Sequence, residues 1–171
     1  MEAGYGFLLL EYRGYGGNPG KPTEMGLHTD ARAALDFLAS NEIPYQKVIL
    51  YGESLGSGIA VKAASEHHYS AVILEAPYTS IADVAQRQYW FLPVRWLVRD
   101  RYDTLGIINR VTSPVVVIHG EQDEIIHVSF GKRVFEAAPE PKTAWFFEGA
   151  GHNNCLLYTS DAADERSSVD L

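Results

Sequence analysis

Three side chains in this sequence could move an acyl group if the fold brought them together. Ser54 stands between two glycines in Gly52-Glu53-Ser54-Leu55-Gly56. A serine hydroxyl is a weak nucleophile until a base takes its proton. Histidine is the usual base at neutral pH, and a carboxylate fixes its tautomer and stabilises its cation. His152, in Gly149-Ala150-Gly151-His152, supplies an imidazole on a glycine-rich loop, and Asp123, in Glu121-Gln122-Asp123-Glu124, supplies the acid. The backbone N–H of Leu55, at the start of a helix, is placed to donate to an oxyanion.

Each of the three follows a stretch that reads as a buried strand. Residues 47–51 (Lys47-Val48-Ile49-Leu50-Tyr51) lead into Ser54. The β-branched run Val115-Val116-Val117-Ile118, bounded by Pro114 and Gly120, leads to Asp123. Residues 143–147 lead to His152. Continuous apolar runs of this length suit strands buried in a parallel sheet. Loops at the C-terminal ends of such strands carry the working residues. A fourth run, residues 71–76, is closed by Pro77. After Ser54, Ile59, Ala60, Ala63 and Ala64 recur at helical spacing over residues 55–67. A strand, Gly-x-Ser-x-Gly and a helix together form the nucleophile elbow of α/β-hydrolases, and the order Ser54, Asp123, His152 is theirs. The expected reason for the two glycines is steric: a side chain at 52 or 56 would meet the neighbouring strand or helix. Taken singly, Ser54 could cap a helix, Asp123 could shape a turn, and His152 could be a solvated loop residue. Three such coincidences after three strands, in that order, are less plausible than a triad.

The chain resembles the small α/β-hydrolases of the Bem46-like and depalmitoylase-like branch. The resemblance rests on Gly52-Glu53-Ser54-Leu55-Gly56, His119-Gly120-Glu121-Gln122-Asp123 and Gly149-Ala150-Gly151-His152-Asn153. It extends to Glu11-Tyr12-Arg13-Gly14-Tyr15-Gly16, Gly20-Lys21-Pro22-Thr23-Glu24 and Thr112-Ser113-Pro114. It implies a serine hydrolase acting on carboxylic esters or thioesters through an acyl-enzyme, with no cofactor. A serine peptidase or amidase on the same fold, or an impaired fragment that acts only as a binding module, stands as the alternative. It also implies that residues 5–11 form the fourth strand of eight. The chain would then be an N-terminally truncated, partial α/β-hydrolase fold, mostly a parallel sheet with helices on both faces. It would lack the first strands and the loop with the second oxyanion donor. Residues 48–51 should pair with 71–76, while 5–11 either keeps its place beside a gap or collapses onto 48–51. On this reading the isolated chain is poorly soluble and a weak esterase.

Residues 1–154 are read as this partial domain. Residues 155–171, from Cys155 to Leu171, resemble a translated sequencing-adapter sequence and are set aside as a non-native tail. Asp161, Asp164, Glu165 and Asp170 against Arg166 contribute −3 of the formal net charge of −8. The remainder is mildly acidic and offers no broad basic face for nucleic acid. The only cysteine is Cys155, so residues 1–154 carry no disulfide framework and no thiolate metal site. This composition, with no targeting segment in view, suits a cytoplasmic location.

Three further segments shape the expectation. Residues 23–40 read as a helix with Leu27, Ala31, Ala34, Leu35 and Leu38 on one face, and residues 131–138 as the helix between the Asp123 and His152 strands. Residues 77–113 are too long for an ordinary connection and contain Tyr89-Trp90-Phe91-Leu92-Pro93-Val94-Arg95-Trp96-Leu97. Many α/β-hydrolases, which the chain resembles, insert a cap above the nucleophile at this place, and the segment is read as a short cap. Its aromatics either pack onto the core as short helices do, or form an apolar acyl site or a patch that contacts a membrane surface. The run is too short and too charged to span a bilayer. His28, His67, His68, His119 and His127 show no metal-ligand spacing.

Overall fold

A computed structural model describes residues 4–154. Four strands, β1 (Ile49–Glu53), β2 (Ala71–Glu75), β3 (Val115–Gly120) and β4 (Lys142–Phe147), form one sheet in the order β1-β2-β3-β4, all parallel. Five α-helices accompany them: α1 (Glu24–Ser40), α2 (Leu55–Ala64), α3 (Ile81–Gln88), α4 (Thr104–Ile107) and α5 (Val128–Ala137). The strand–helix alternation expected from the apolar runs is present, and β2 pairs with β1 as expected.

Alternation along each strand sorts side chains onto two faces. Val72, Leu74, Val115 and Val117 turn toward α2 and α5, where Val61, Ala64 and Val134 complete the main core with Leu35 of α1. On the opposite face Ile118 and Ala150 form a smaller cluster with Ile73, Val116 and Phe147. Ile49, Tyr51 and Trp145 remain about half exposed there. Among the described residues the helices in contact with the sheet therefore lie on one face, and the helical layer expected on the other face is not among them.

α1 begins where Thr23 accepts a hydrogen bond from the Gly26 N–H, and it ends at Asn41. The Arg13 guanidinium grips Asp30 of α1 through Nε (3.0 Å) and Nη2 (2.6 Å). That explains the arginine of Tyr12-Arg13-Gly14: it ties the preceding loop to the helix.

Residues 5–11 do not form the expected strand. They pair with neither β1 nor any other element of the sheet, and Phe7 and Leu9 are 80% and 91% exposed. Their composition suits a strand, but a strand exists only through its hydrogen-bonded neighbour, and none lies alongside among the described residues.

The segment read as a cap, residues 77–113, is fastened at its base and exposed at its far end, the tip. Ile81 N–H donates to Arg101 O, and Leu105 N–H to Thr79 O. Glu24 at the start of α1 joins the same base: its N–H donates to Asp100 and its carboxylate accepts from the Arg101 N–H. Beyond this staple Trp90 is 80% exposed, Phe91 65%, Trp96 88% and Leu97 74%. The reading that these aromatics pack onto the core is thus corrected. Among the described residues no helix is long and apolar enough to cross a membrane. Residues 155–171 lie outside the described residues.

Candidate active site

The turn from β1 into α2 places Ser54 at φ 50°, ψ −119°. An L-residue held there costs roughly 1–3 kcal/mol and persists only where its surroundings over-determine it. Three hydrogen bonds and one close backbone approach do so. Ser54 N–H donates to Glu75 O on β2 (2.9 Å). The Ser57 hydroxyl donates to Ser54 O (2.7 Å). Tyr78, fully buried after β2, donates its hydroxyl to Leu55 O (3.2 Å). A Cβ on Gly52 would overlap the Gly56 carbonyl, so glycine is required at 52. At Gly56 an added Cβ would meet nothing. The steric reason expected for both glycines therefore holds for Gly52 alone.

The β3 and β4 loops are stitched to one another. Glu121 N–H donates to Phe147 O, and Gln122 N–H to Ala150 O. The β4 loop lies so close over Gly120 that a Cβ there would overlap Ala150 O. Asn154 accepts the Gly151 N–H (2.6 Å) and closes the turn around His152. These bonds bring two loops, each at a strand's C-terminal end, to the Ser54 turn.

There His152 Nε2 lies 3.2 Å from Ser54 Oγ, and His152 Nδ1 lies 2.7 Å from Asp123 Oδ2. The Asp123 side chain is fully buried, and that of His152 is 11% exposed. Asp123 Oδ1 accepts the N–H groups of Ile125 (2.9 Å) and Ile126 (2.7 Å). Burial pushes the Asp123 carboxyl up, but the bonds from His119, His152 and the Ile126 N–H outweigh it and hold it at about 2. The carboxylate is thus ionised and its imidazole-facing oxygen occupied. Since a carboxylate only accepts, His152 Nδ1 carries the proton, and Nε2 is left to accept from the Ser54 hydroxyl. Asp103 and Asp83, the other aspartates near this edge in the sequence, do not face the imidazole. Asp103 caps α4 through the Gly106 N–H, and Asp83 accepts from Thr79 and pairs with Arg95. Leu55 is the first residue of α2, so its N–H points with those of the helix N-terminus.

Sequence reasoning missed three supports. Tyr78 reaches the carbonyl of Leu55, as above. Glu75, 2% exposed on β2, takes a short hydrogen bond from the Tyr51 hydroxyl; burial pushes its carboxyl up, with that bond opposing. His119, near the end of β3, is fully buried beside Asp123. Only its place four residues before the acid signals it. Of the other histidines, His67 stacks on Tyr45, His68 meets Thr112, and His127 accepts from the Ser129 N–H at the start of α5. Among the described residues no group of three or more His, Cys, Asp or Glu could hold a metal ion.

Comparison with known proteins places the chain in a family and a fold. A family model described as Hydrolase_4, serine aminopeptidase, S33, matches residues 1–107. Uncharacterized protein Rv2307c of Mycobacterium tuberculosis is 41% identical over 152 residues, covering 88% of this chain and 54% of that protein. Alpha/beta hydrolase domain-containing protein 17B of Homo sapiens is 39% identical over 153 residues, covering 86% and 50%. The chain thus spans about half the length of the curated relatives it matches. Among solved structures, the α/β-hydrolase GrgF from Penicillium sp. sh18 superposes with a TM-score of 0.67 at 16% identity, covering 92% of this chain and 75% of that one. The esterase RhEst1 from Rhodococcus sp. ECU1013 superposes with a TM-score of 0.65 at 19% identity, covering 94% and 78%. At such identities these two show the α/β-hydrolase fold alone.

Proposed function

We propose that this chain, which belongs to the Hydrolase_4 (serine aminopeptidase, S33) family of α/β-hydrolases, carries the catalytic centre of a serine hydrolase that cleaves carboxylic esters or thioesters. The observation that supports this is the relay from Asp123 Oδ2 through His152 to Ser54 Oγ, at 2.7 and 3.2 Å. His152 Nε2 takes the Ser54 proton as Oγ bonds to the substrate carbonyl carbon. The Leu55 N–H donates to the oxyanion. The C–O or C–S bond then breaks, and the proton on Nε2 passes to the leaving group. Water attacks the acyl-enzyme with His152 as base again, releasing the acid and restoring Ser54. Asp123 stays ionised throughout and stabilises the imidazolium.

The family's description as a serine aminopeptidase favours a second reading, amide cleavage by the same steps. The exposed Trp90, Phe91 and Trp96, with Arg87, Arg95 and Arg99 on the same segment, support contact of the cap with a membrane surface.

A fluorophosphonate probe tests the first reading. It should label the native chain and not Ser54→Ala. Absence of labelling at Ser54 in a folded chain overturns the hydrolase reading in favour of a binding module. A panel of p-nitrophenyl esters, acyl thioesters and aminoacyl amides then separates ester, thioester and amide chemistry.

A further inference from the structure

The buried His119 takes no part in the steps above, yet its surroundings are specific. It is fully buried near the end of β3. Its Nε2 lies 2.7 Å from the carbonyl oxygen of Ile126. A carbonyl only accepts, so Nε2 carries the hydrogen. The same atom stands 3.4 Å from Asp123 Oδ2, the oxygen that faces His152. The other ring nitrogen, Nδ1, is buried and has no hydrogen-bond partner. It faces α5 at Gly131, where a Cβ would overlap it. The ring is therefore wedged between α5 and the turn after Asp123, in one orientation and one tautomer.

That turn is what aims the acid. The Ile126 N–H donates to Asp123 Oδ1, while the Ile126 carbonyl accepts from His119. One peptide segment is thus held by the histidine and in turn holds the carboxylate. With Oδ1 so held, Oδ2 meets His152 Nδ1 at 2.7 Å, and His119 Nε2 stands 3.4 Å from the same oxygen.

We propose that His119 is a positioning residue for the Asp123–His152 pair: its Nε2–H anchors the Ile126 carbonyl and flanks Asp123 Oδ2, so that the carboxylate presents this oxygen to His152 Nδ1. Gly131 belongs to the same device, because only glycine lets α5 pass against the ring. The held-down Asp123 carboxyl accords with this, since the bond from His119 is one of those that lower it. The role rests on the hydrolase reading for its purpose, but its geometry is testable without turnover.

The first measurement needs no variant. Nitrogen-15 correlation spectra of the histidines in the native chain should show His119 with hydrogen on Nε2 and a bare Nδ1. The Nδ1–H tautomer overturns the proposal. The second compares His119→Leu, which removes the donor at similar volume, with His119→Gln, whose amide can return an N–H near the Nε2 position. The downfield N–H proton of the His152–Asp123 bond should be lost or strongly shifted in His119→Leu and restored in His119→Gln, at matched melting temperatures. Fluorophosphonate labelling of Ser54 should fall about ten- to a hundredfold in the leucine variant and largely recover in the glutamine variant. An unaltered downfield proton in a folded His119→Leu overturns the positioning role alone. A native chain with the proton but no Ser54 labelling overturns the hydrolase reading alone. A native chain without the proton overturns both.

Discussion

The Ser54 turn follows β1 and the segment carrying the cap tip follows β2, yet the two are built on opposite terms. Around Ser54 nearly every polar atom is committed: backbone to Glu75, carbonyl to Ser57, imidazole to Asp123, carboxylate to Ile125 and Ile126. The turn is strained at φ 50° and is held by contacts from β2, α2 and the segment after β2. At the cap tip, Trp90 and Trp96 are large aromatic side chains that are 80% and 88% exposed. One region accepts backbone strain to aim a hydroxyl. The other leaves apolar surface in water. Exposed aromatics of that size mark a surface that meets something else.

The largest expected effects lie at the turn. Ser54→Ala should lower turnover on any cleaved ester by roughly four to six orders of magnitude, with the melting temperature little changed because alanine bears the same backbone strain there as serine. Kinetic assay beside thermal unfolding checks both. A variant that keeps ordinary turnover removes the turn from the chemistry and the contrast with the cap along with it.

Gly52 and Gly56 sharpen the same contrast within a few residues. At Gly52 an added Cβ overlaps backbone, where nothing can give cheaply, so Gly52→Ala should cost roughly 3 kcal/mol. Gly56 sits in the first turn of α2 with open space around an added Cβ. Gly56→Ala should therefore leave the fold intact or stabilise it by up to about 1 kcal/mol. Denaturant titrations of the two variants measure this. Equal losses would mean the motif's second glycine has a steric reason that the geometry does not show.

Asp123 sets the acid limit of the turn. Its carboxyl is depressed in the folded chain from 3.8 to about 2. The unfolded chain binds the proton more readily, so this stabilisation is present in full above about pH 4 and is lost as the pH falls through about 2. On the order of 2 kcal/mol should disappear across that window. Asp123→Asn, which cannot titrate, should show a flatter stability profile between pH 4 and pH 2. Parallel profiles for the two proteins would place the acid sensitivity elsewhere.

How much of this the sequence disclosed depends on whether a feature is local. The strands ending at Glu53, Glu75, Gly120 and Phe147 announce themselves by short apolar runs, β-branched and bounded by Pro114 and Gly120 in the third of them, and Ser54, Asp123 and His152 follow from their places after such runs. Residues 5–11 carry the same apolar signal and yet form no strand, because the signal describes the side chains and the ladder needs a neighbour. Trp90 and Trp96 illustrate the converse. Aromatic content reports a wish for burial, while exposure is decided by what lies nearby. His119 was hidden for a third reason: its meaning comes from Ile126 O and Gly131, both brought to it by folding, and nothing in His119-Gly120 alone separates a strand-end histidine from a positioning one.

The smallest expected effect belongs to the cap, and it is the one that tests the contrast most directly. If Trp90 and Trp96 serve the fold, replacing both with serine must open cavities and cost several kcal/mol, as large-to-small changes in a core do. Their exposure argues otherwise: little area leaves water when the chain folds, so little is lost when the rings are removed. Trp90→Ser and Trp96→Ser together should shift stability by no more than about 0.5 kcal/mol. The cost should fall instead on association with lipid. Indole rings beside Arg95 and Arg99 favour an interface that is apolar within and anionic at its surface. Sedimentation with phosphatidylserine-containing vesicles should therefore weaken several-fold in the double variant, and sedimentation with purely zwitterionic vesicles should be weak for both proteins. A fall in melting temperature would show that the tip packs as a core does. Unchanged stability with unchanged vesicle binding would leave the exposed rings to a partner other than a membrane and would end the membrane reading of the cap.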